Sequence, residues 1–185
     1  MKLDDWETIA KNLGTIDDLG QESSSSEKAK KAIQILLGEE FLRDAVKYYI
    51  ECRPGSELLR GVLWQIQPTV SMEECYRIFK EDECIENKIS AVELLRVVAD
   101  KAALKWVPEF LACEYEGVQN WGIGVIDQLV YSELVSVEDI SEILAQAMAH
   151  KSEYVREKAA YIQSMLEASE ERNAILQHHF DQKNA

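Results

Sequence analysis

The chain has 185 residues, 46% of them hydrophobic, only three prolines, and a formal net charge of −14. No stretch approaches the roughly 20 apolar residues that a membrane-spanning helix needs, and the first residues lack a charged-then-apolar secretory pattern, so a cytoplasmic protein is expected. So acidic a surface repels phosphates, which argues against nucleic acid or an anionic membrane as a direct ligand and favours cationic proteins.

Residues 4–13 carry Trp6, Ile9 and Leu13 at helical spacing and predict a short first helix. Gly14, Gly20 and the polar run Gln21–Ser26 follow, and four consecutive serines, which cannot pack, read as a loop or mobile link. Residues 27–37 place Ile33, Leu36 and Leu37 on one side and Lys28, Lys30 and Lys31 on the other, an amphipathic lead-in helix. Helices are then expected at about 39–53 and 55–67, separated by Pro54 and Gly55. Pro68 ends the second, and Ser71 caps the next at about 71–82. Further helices are expected at about 87–100, 103–115, 118–132, 137–150 and 153–169, with a capping turn at 173–180 before a frayed tail.

The helices from residue 38 onward repeat. Leu42, Cys75, Val107 and Ile140 recur at spacings of 33, 32 and 33 residues, each followed four positions later by Val46, Phe79, Leu111 and Leu144. The second helices repeat as well: Leu59, Val62, Leu63 and Ile66 are answered by Ala91, Leu94, Leu95 and Val98, then by Gly122, Val125, Ile126 and Leu129. A weaker fourth copy is Ala159, Ile162 and Leu166. A period of this length marks stacked helix pairs, since no pair buries its apolar stripe alone. The expected fold is all-α, an α-solenoid of about four helix pairs over 38–169. N-terminal helices over 1–37 and a C-terminal cap and tail over 170–185 complete a single domain of 1–185. Gly122, aligned with Ala91 and Ala159, reads as a small residue where two helices approach closely.

Little in the chain suggests chemistry. Cys52, Cys75, Cys84 and Cys113 fit no zinc spacing and are expected to be reduced and mostly buried thiols. His150 sits near a helix C-terminus, where the dipole favours a cation, while His178 and His179 are adjacent and chelate poorly. No phosphate loop, nucleophile elbow or zinc-protease helix occurs. No enzyme, metal or cofactor is therefore expected.

The distribution of charge is more informative. Residues 106–150 hold Glu109, Glu114, Glu116, Asp127, Glu133, Glu138, Asp139 and Glu142 without one lysine or arginine, and Glu81, Asp82, Glu83 and Glu86 form a second knot. Acidic helix faces often do no more than solubilise, but a 45-residue span without the usual opposite-charge pairs suggests a surface for a basic protein. Trp121 and Trp64 stand at repeat positions filled elsewhere by Ser90 and Lys158, and by Arg96 and Asp127. With Tyr154 and Tyr161 they are candidate anchors, although large aromatics also pack across helix junctions. The residues expected to bind a partner are Glu86, Glu93, Glu116, Trp121, Asp127, Tyr154 and Glu157.

The paired helices, and the run Leu104, Lys105, Trp106, Val107, Pro108, Glu109, Phe110, Leu111 that opens one unit, resemble HEAT-like repeats, whose first helix often carries a proline at this place. Lys88 and Arg156 are similar to the basic residue common early in that family's second helices, whereas Gln119 and Ser56 hold no base. Size, acidity and architecture also resemble bacterial immunity proteins, including those of contact-dependent growth inhibition systems. That likeness implies a 1:1 complex with a basic nuclease toxin domain. An immunity protein is the leading expectation; the alternative is a helical-repeat adaptor or chaperone-like assembly factor. The HEAT-like likeness also admits a relative of the HEAT-like DNA glycosylases, against which the acidic stretch argues.

Overall fold

The computed structural model describes the backbone of residues 5–183 and the side chains of residues 6–168. Among these residues the chain is all-α, and its one extended feature is an isolated antiparallel bridge between Ile16 and Glu22. It divides into two compact units, Met1–Ala99 and Asp100–Ala185.

The first unit contains α1 (Asp5–Asn12), α2 (Ser26–Leu37), α3 (Glu39–Ile50), α4 (Ser56–Ile66), α5 (Thr69–Glu81) and α6 (Ile85–Val98). The serine run is a loop as far as Ser25, and its ends are tied down. Ser25 caps α2 by accepting the Lys28 amide at 3.3 Å, Ser26 begins the helix, and the Ser23 amide donates to the Thr15 carbonyl at 2.8 Å. Ser71 is likewise not a cap, because α5 starts two residues earlier behind Pro68. Its buried hydroxyl instead donates to the Leu42 carbonyl at 3.1 Å and ties α5 to α3. The α3 and α5 helices are also joined through Glu74, whose side chain is only 3% exposed. Arg77 grips it with two nitrogens, at 2.7 and 3.0 Å, and Arg43 of α3 reaches it at 3.3 Å. These guanidinium bonds, above all that of Arg77, hold the Glu74 carboxyl below the usual range in spite of its burial.

The second unit contains a 3₁₀ turn (Lys101–Trp106), α7 (Val107–Ala112), α8 (Glu116–Tyr131), α9 (Val137–Met148) and α10 (Glu153–Lys183). The helix expected at 103–115 is thus split, and Pro108 supplies the reason. It has no amide to give to the turn before it and its ring opposes the carbonyl four residues back, so it sits in the first turn of a new α-helix after a 3₁₀ entry. The cap expected at 173–180 is instead part of one continuous α10. The His178 and His179 side chains and the last two residues of the tail lie outside the described residues.

The repeat columns are core. Leu42, Val46, Cys75, Phe79, Val107, Leu111, Ile140 and Leu144 are all buried in their own units, as are Ala91, Leu94, Leu95 and Val98, and Val125, Ile126 and Leu129. Each fully buried leucine or isoleucine contributes about 1.5–3 kcal/mol relative to exposure. The first copy departs from the pattern: Leu63 and Ile66 are buried, but Val62 is 43% exposed.

The turns between paired helices of the second unit are held by a donor early in the second helix. Arg156 donates to the carbonyls of His150 at 2.7 Å and Lys151 at 2.9 Å, and the buried Gln119 donates its amide to the Cys113 carbonyl. Gln119 thus supplies with an amide the kind of donor that Arg156 supplies with a guanidinium. His150 also ties this region together, since its Nδ1 accepts the Ser152 amide at 3.1 Å and its Nε2 lies 3.0 Å from the Leu111 carbonyl. With Nδ1 accepting, Nε2 is the ring nitrogen left to donate to the Leu111 carbonyl.

The close approach expected at Gly122 is present: a Cβ there would stand 2.6 Å from the Phe110 Cβ, joining α8 to α7. Gly122→Ala is expected to destabilise the protein by about 1–3 kcal/mol through overpacking, against the usual helix preference for alanine. Urea denaturation of the two proteins measures it. Glu74→Gln tests the buried carboxylate. Because the folded pKa is depressed, its contribution is complete above the unfolded value of about 4.3 and disappears as pH falls through the folded one. The variant is expected to lose about 1–3 kcal/mol at pH 7 and to converge with wild type towards pH 3, as followed by denaturation at each pH.

Candidate partner-binding surface

The seven residues singled out by sequence are divided between the units. Glu86 and Glu93 lie seven residues apart on α6 of the first unit. Glu86 is exposed and accepts the Cys84 thiol at 3.1 Å, a bond that lowers its pKa. Glu93 is half-buried, and its charge acts on Tyr49 of α3. Burial first, and then the charge of Glu93, push the Tyr49 hydroxyl up to about 12.

Glu116, Trp121 and Asp127 lie along α8, and Tyr154 and Glu157 open α10, which packs against it. Here one candidate acid, Asp127, and one candidate aromatic, Tyr161, share a cation. Asp127 is bonded to Lys158 at 2.7 Å, with both side chains about a quarter exposed. The Lys158 ammonium also lies 5.0 Å from the centre of the Tyr161 ring. Tyr154, Lys158 and Tyr161 follow one another at i, i+4 and i+7 on a single face of α10, and the two tyrosines are 49% and 53% exposed. Trp121 is half-buried, whereas Trp64, on α4 of the first unit, is 46% exposed.

The 45-residue span without a base is less bare in three dimensions than in sequence. Lys101 and Lys158, which flank it along the chain, reach back to Asp139 and Asp127, each at 2.7 Å. Asp139 is held further by the Ser136 amide at 3.0 Å in a capping box, and the lysine and the cap together lower its pKa. Glu114 and Glu138 are exposed and hydrogen-bonded to Tyr115 and Ser136, and Glu116, Glu133 and Glu142 are exposed with no ion pair among the described residues. Glu133 and Glu142 belong to the acidic span but not to the seven residues expected to bind; greater exposure and the lack of a cation across helices distinguish them from Asp127 and Asp139.

The thiols correct the sequence reading. Cys75 is buried, and desolvation raises its pKa strongly, but Cys52 and Cys84 are exposed and Cys113 is half-buried. Among the described residues no group of three or more His, Cys, Asp or Glu is placed to hold a metal ion, and no helix is long and apolar enough to cross a membrane. No family model, curated protein or solved structure matches the chain.

Because Asp127 already has a cation, removing it does two things: it deletes an acid and releases Lys158. Asp127→Asn is expected to cost about 1 kcal/mol, the scale of a partly exposed pair, and Asp127→Asn with Lys158→Gln to recover most of it. A double-mutant cycle by urea denaturation measures the coupling.

Proposed function

We propose that the chain is a non-enzymatic protein-binding module, an α-solenoid of HEAT-like helix pairs, and that it serves as an immunity protein for a cationic nuclease toxin. The observation that carries the reading is electrostatic. Glu116, Glu133 and Glu142 stand exposed without a compensating cation among the described residues, in a span that contains no base, on a chain of net charge −14. Uncompensated carboxylates on a rigid helical scaffold attract a basic surface, raise its association rate and stand in for the phosphates that a nuclease expects. Tyr154 and Tyr161, exposed on α10 beside the Asp127–Lys158 pair, are of the type that anchors such a contact once water is excluded.

Binding carried by solvent-exposed charge falls with salt, whereas an adaptor in a large assembly holds through apolar contacts and does not. The test is capture from cells carrying the neighbouring genes, washed at low and high salt, followed by nuclease assay of the captured protein. The expected partner is basic, cleaves nucleic acid when freed and is inhibited by one equivalent of the chain. Neutralising Glu116, Glu133 and Glu142 to glutamine is expected to lower its association rate about tenfold. Retention that is indifferent to salt and to those substitutions would move the function to the adaptor.

A further inference from the structure

The first unit carries an apolar groove that its own fold does not fill. It lies between α3 and α4, has a volume of about 480 Å³, and is walled by Leu37, Phe41, Tyr48, Leu58 and Val62, with Asp44 on its edge. Phe41 is 51%, Leu58 77% and Val62 43% exposed. Three large apolar side chains open to water on facing helices are more than the scattered exposure that any surface shows.

The repeat columns make the groove conspicuous. The position of Val62 is taken by Leu94, Val125 and Ile162 in the later copies, and each of these is fully buried in its own unit. The neighbouring column holds Ser90, Trp121 and Lys158 where the first copy has Leu58. The first pair thus exposes one residue that its counterparts bury, and adds an open leucine where two of the three others are polar. One wall is also set in place beforehand. The Tyr48 hydroxyl donates to the Pro54 carbonyl at 2.6 Å, and Arg53 lies over the Tyr48 ring at 4.6 Å.

We infer that this groove docks an amphipathic helix with basic flanks, contributed by the protein partner. From Leu58 to Ile66 the α4 wall runs about 12 Å at 1.5 Å per residue, enough for two turns of a helix and three anchors at i, i+3 or i+4, and i+7. Charge selects the occupant. At the Phe41 end Glu40 is exposed with no ion pair among the described residues, while Asp44 and Glu57 are paired within their own helices to Lys47 and Arg60. Next to Phe41 in the chain there is therefore an uncompensated acid, on a protein of net charge −14. A second copy would bring the same negative charge to the same place, and an anionic membrane would be repelled. The sign of the partner's charge rests on the function proposed above; the groove itself lies in the other unit from Glu116, Glu133 and Glu142.

The test uses the full chain and two labelled helix-forming peptides that share one leucine stripe at i, i+4 and i+7, one with lysines and the other with glutamates on the remaining positions. Fluorescence anisotropy is expected to show the lysine peptide binding at least tenfold more tightly than the glutamate peptide. Phe41→Ala with Leu58→Ala, both at side chains more than half exposed, is expected to weaken it at least tenfold without changing the thermal melt. Glu40→Gln is expected to weaken it about threefold at low salt only. Equal affinity for the two peptides, or no loss in the alanine variant, overturns the inference. Concentration-dependent self-association abolished by the same alanines also overturns it, since the groove would then be an interface between copies. If the lysine peptide fails while a basic partner is still captured through Glu116, Glu133 and Glu142, the groove inference falls and the proposed function stands.

Discussion

No helix in this chain can bury its apolar stripe alone. Most helices run 8 to 16 residues and interleave charged side chains with the apolar ones, so an isolated copy would be marginal in water and gains stability only from a neighbour's stripe. That requirement buries Leu42 and Cys75 in the first unit and Val107 and Ile140 in the second, and it leaves the other face of each helix free to carry acid. It also sets the tolerance at the helix crossings. Where α8 meets α7 the backbones come so near Phe110 that only a glycine fits at position 122.

Polar groups fasten what the apolar stripes bring together. Glu74 is withdrawn from water and is tolerable there because two arginines satisfy it, which makes the α3 to α5 junction dependent on a carboxylate staying ionised. Ser71 adds a hydroxyl bond to a backbone carbonyl at the same junction. Gln119, His150 and Arg156 each meet a backbone carbonyl at or just beyond a helix end, groups that an α-helix cannot satisfy for itself. These contacts give structural work to side chains of types that chemistry also uses.

Both units carry exposed glutamates without ion pairs; the second adds the Asp127–Lys158 pair between α8 and α10, beside Tyr161, and the first adds the apolar groove of α3 and α4. Long-range attraction and short-range apolar contact are separate contributions to association, the one acting mainly on encounter and the other on residence.

Much of this was legible in the sequence. The all-α class, most helix positions, the buried columns and the small-residue site at Gly122 follow from period and pattern, because burial on one face of a helix imposes a spacing on the chain itself. What adjoins what across helices was not legible. Lys101 and Lys158 lie outside the acidic span in sequence but neutralise Asp139 and Asp127 within it, and Val62 reads as core in its column yet lies open. The spacing of a stripe is a property of one helix and is written locally. Whether a given carboxylate finds a cation, or a given valine finds a cover, depends on the neighbouring helix, and only the tertiary structure decides that.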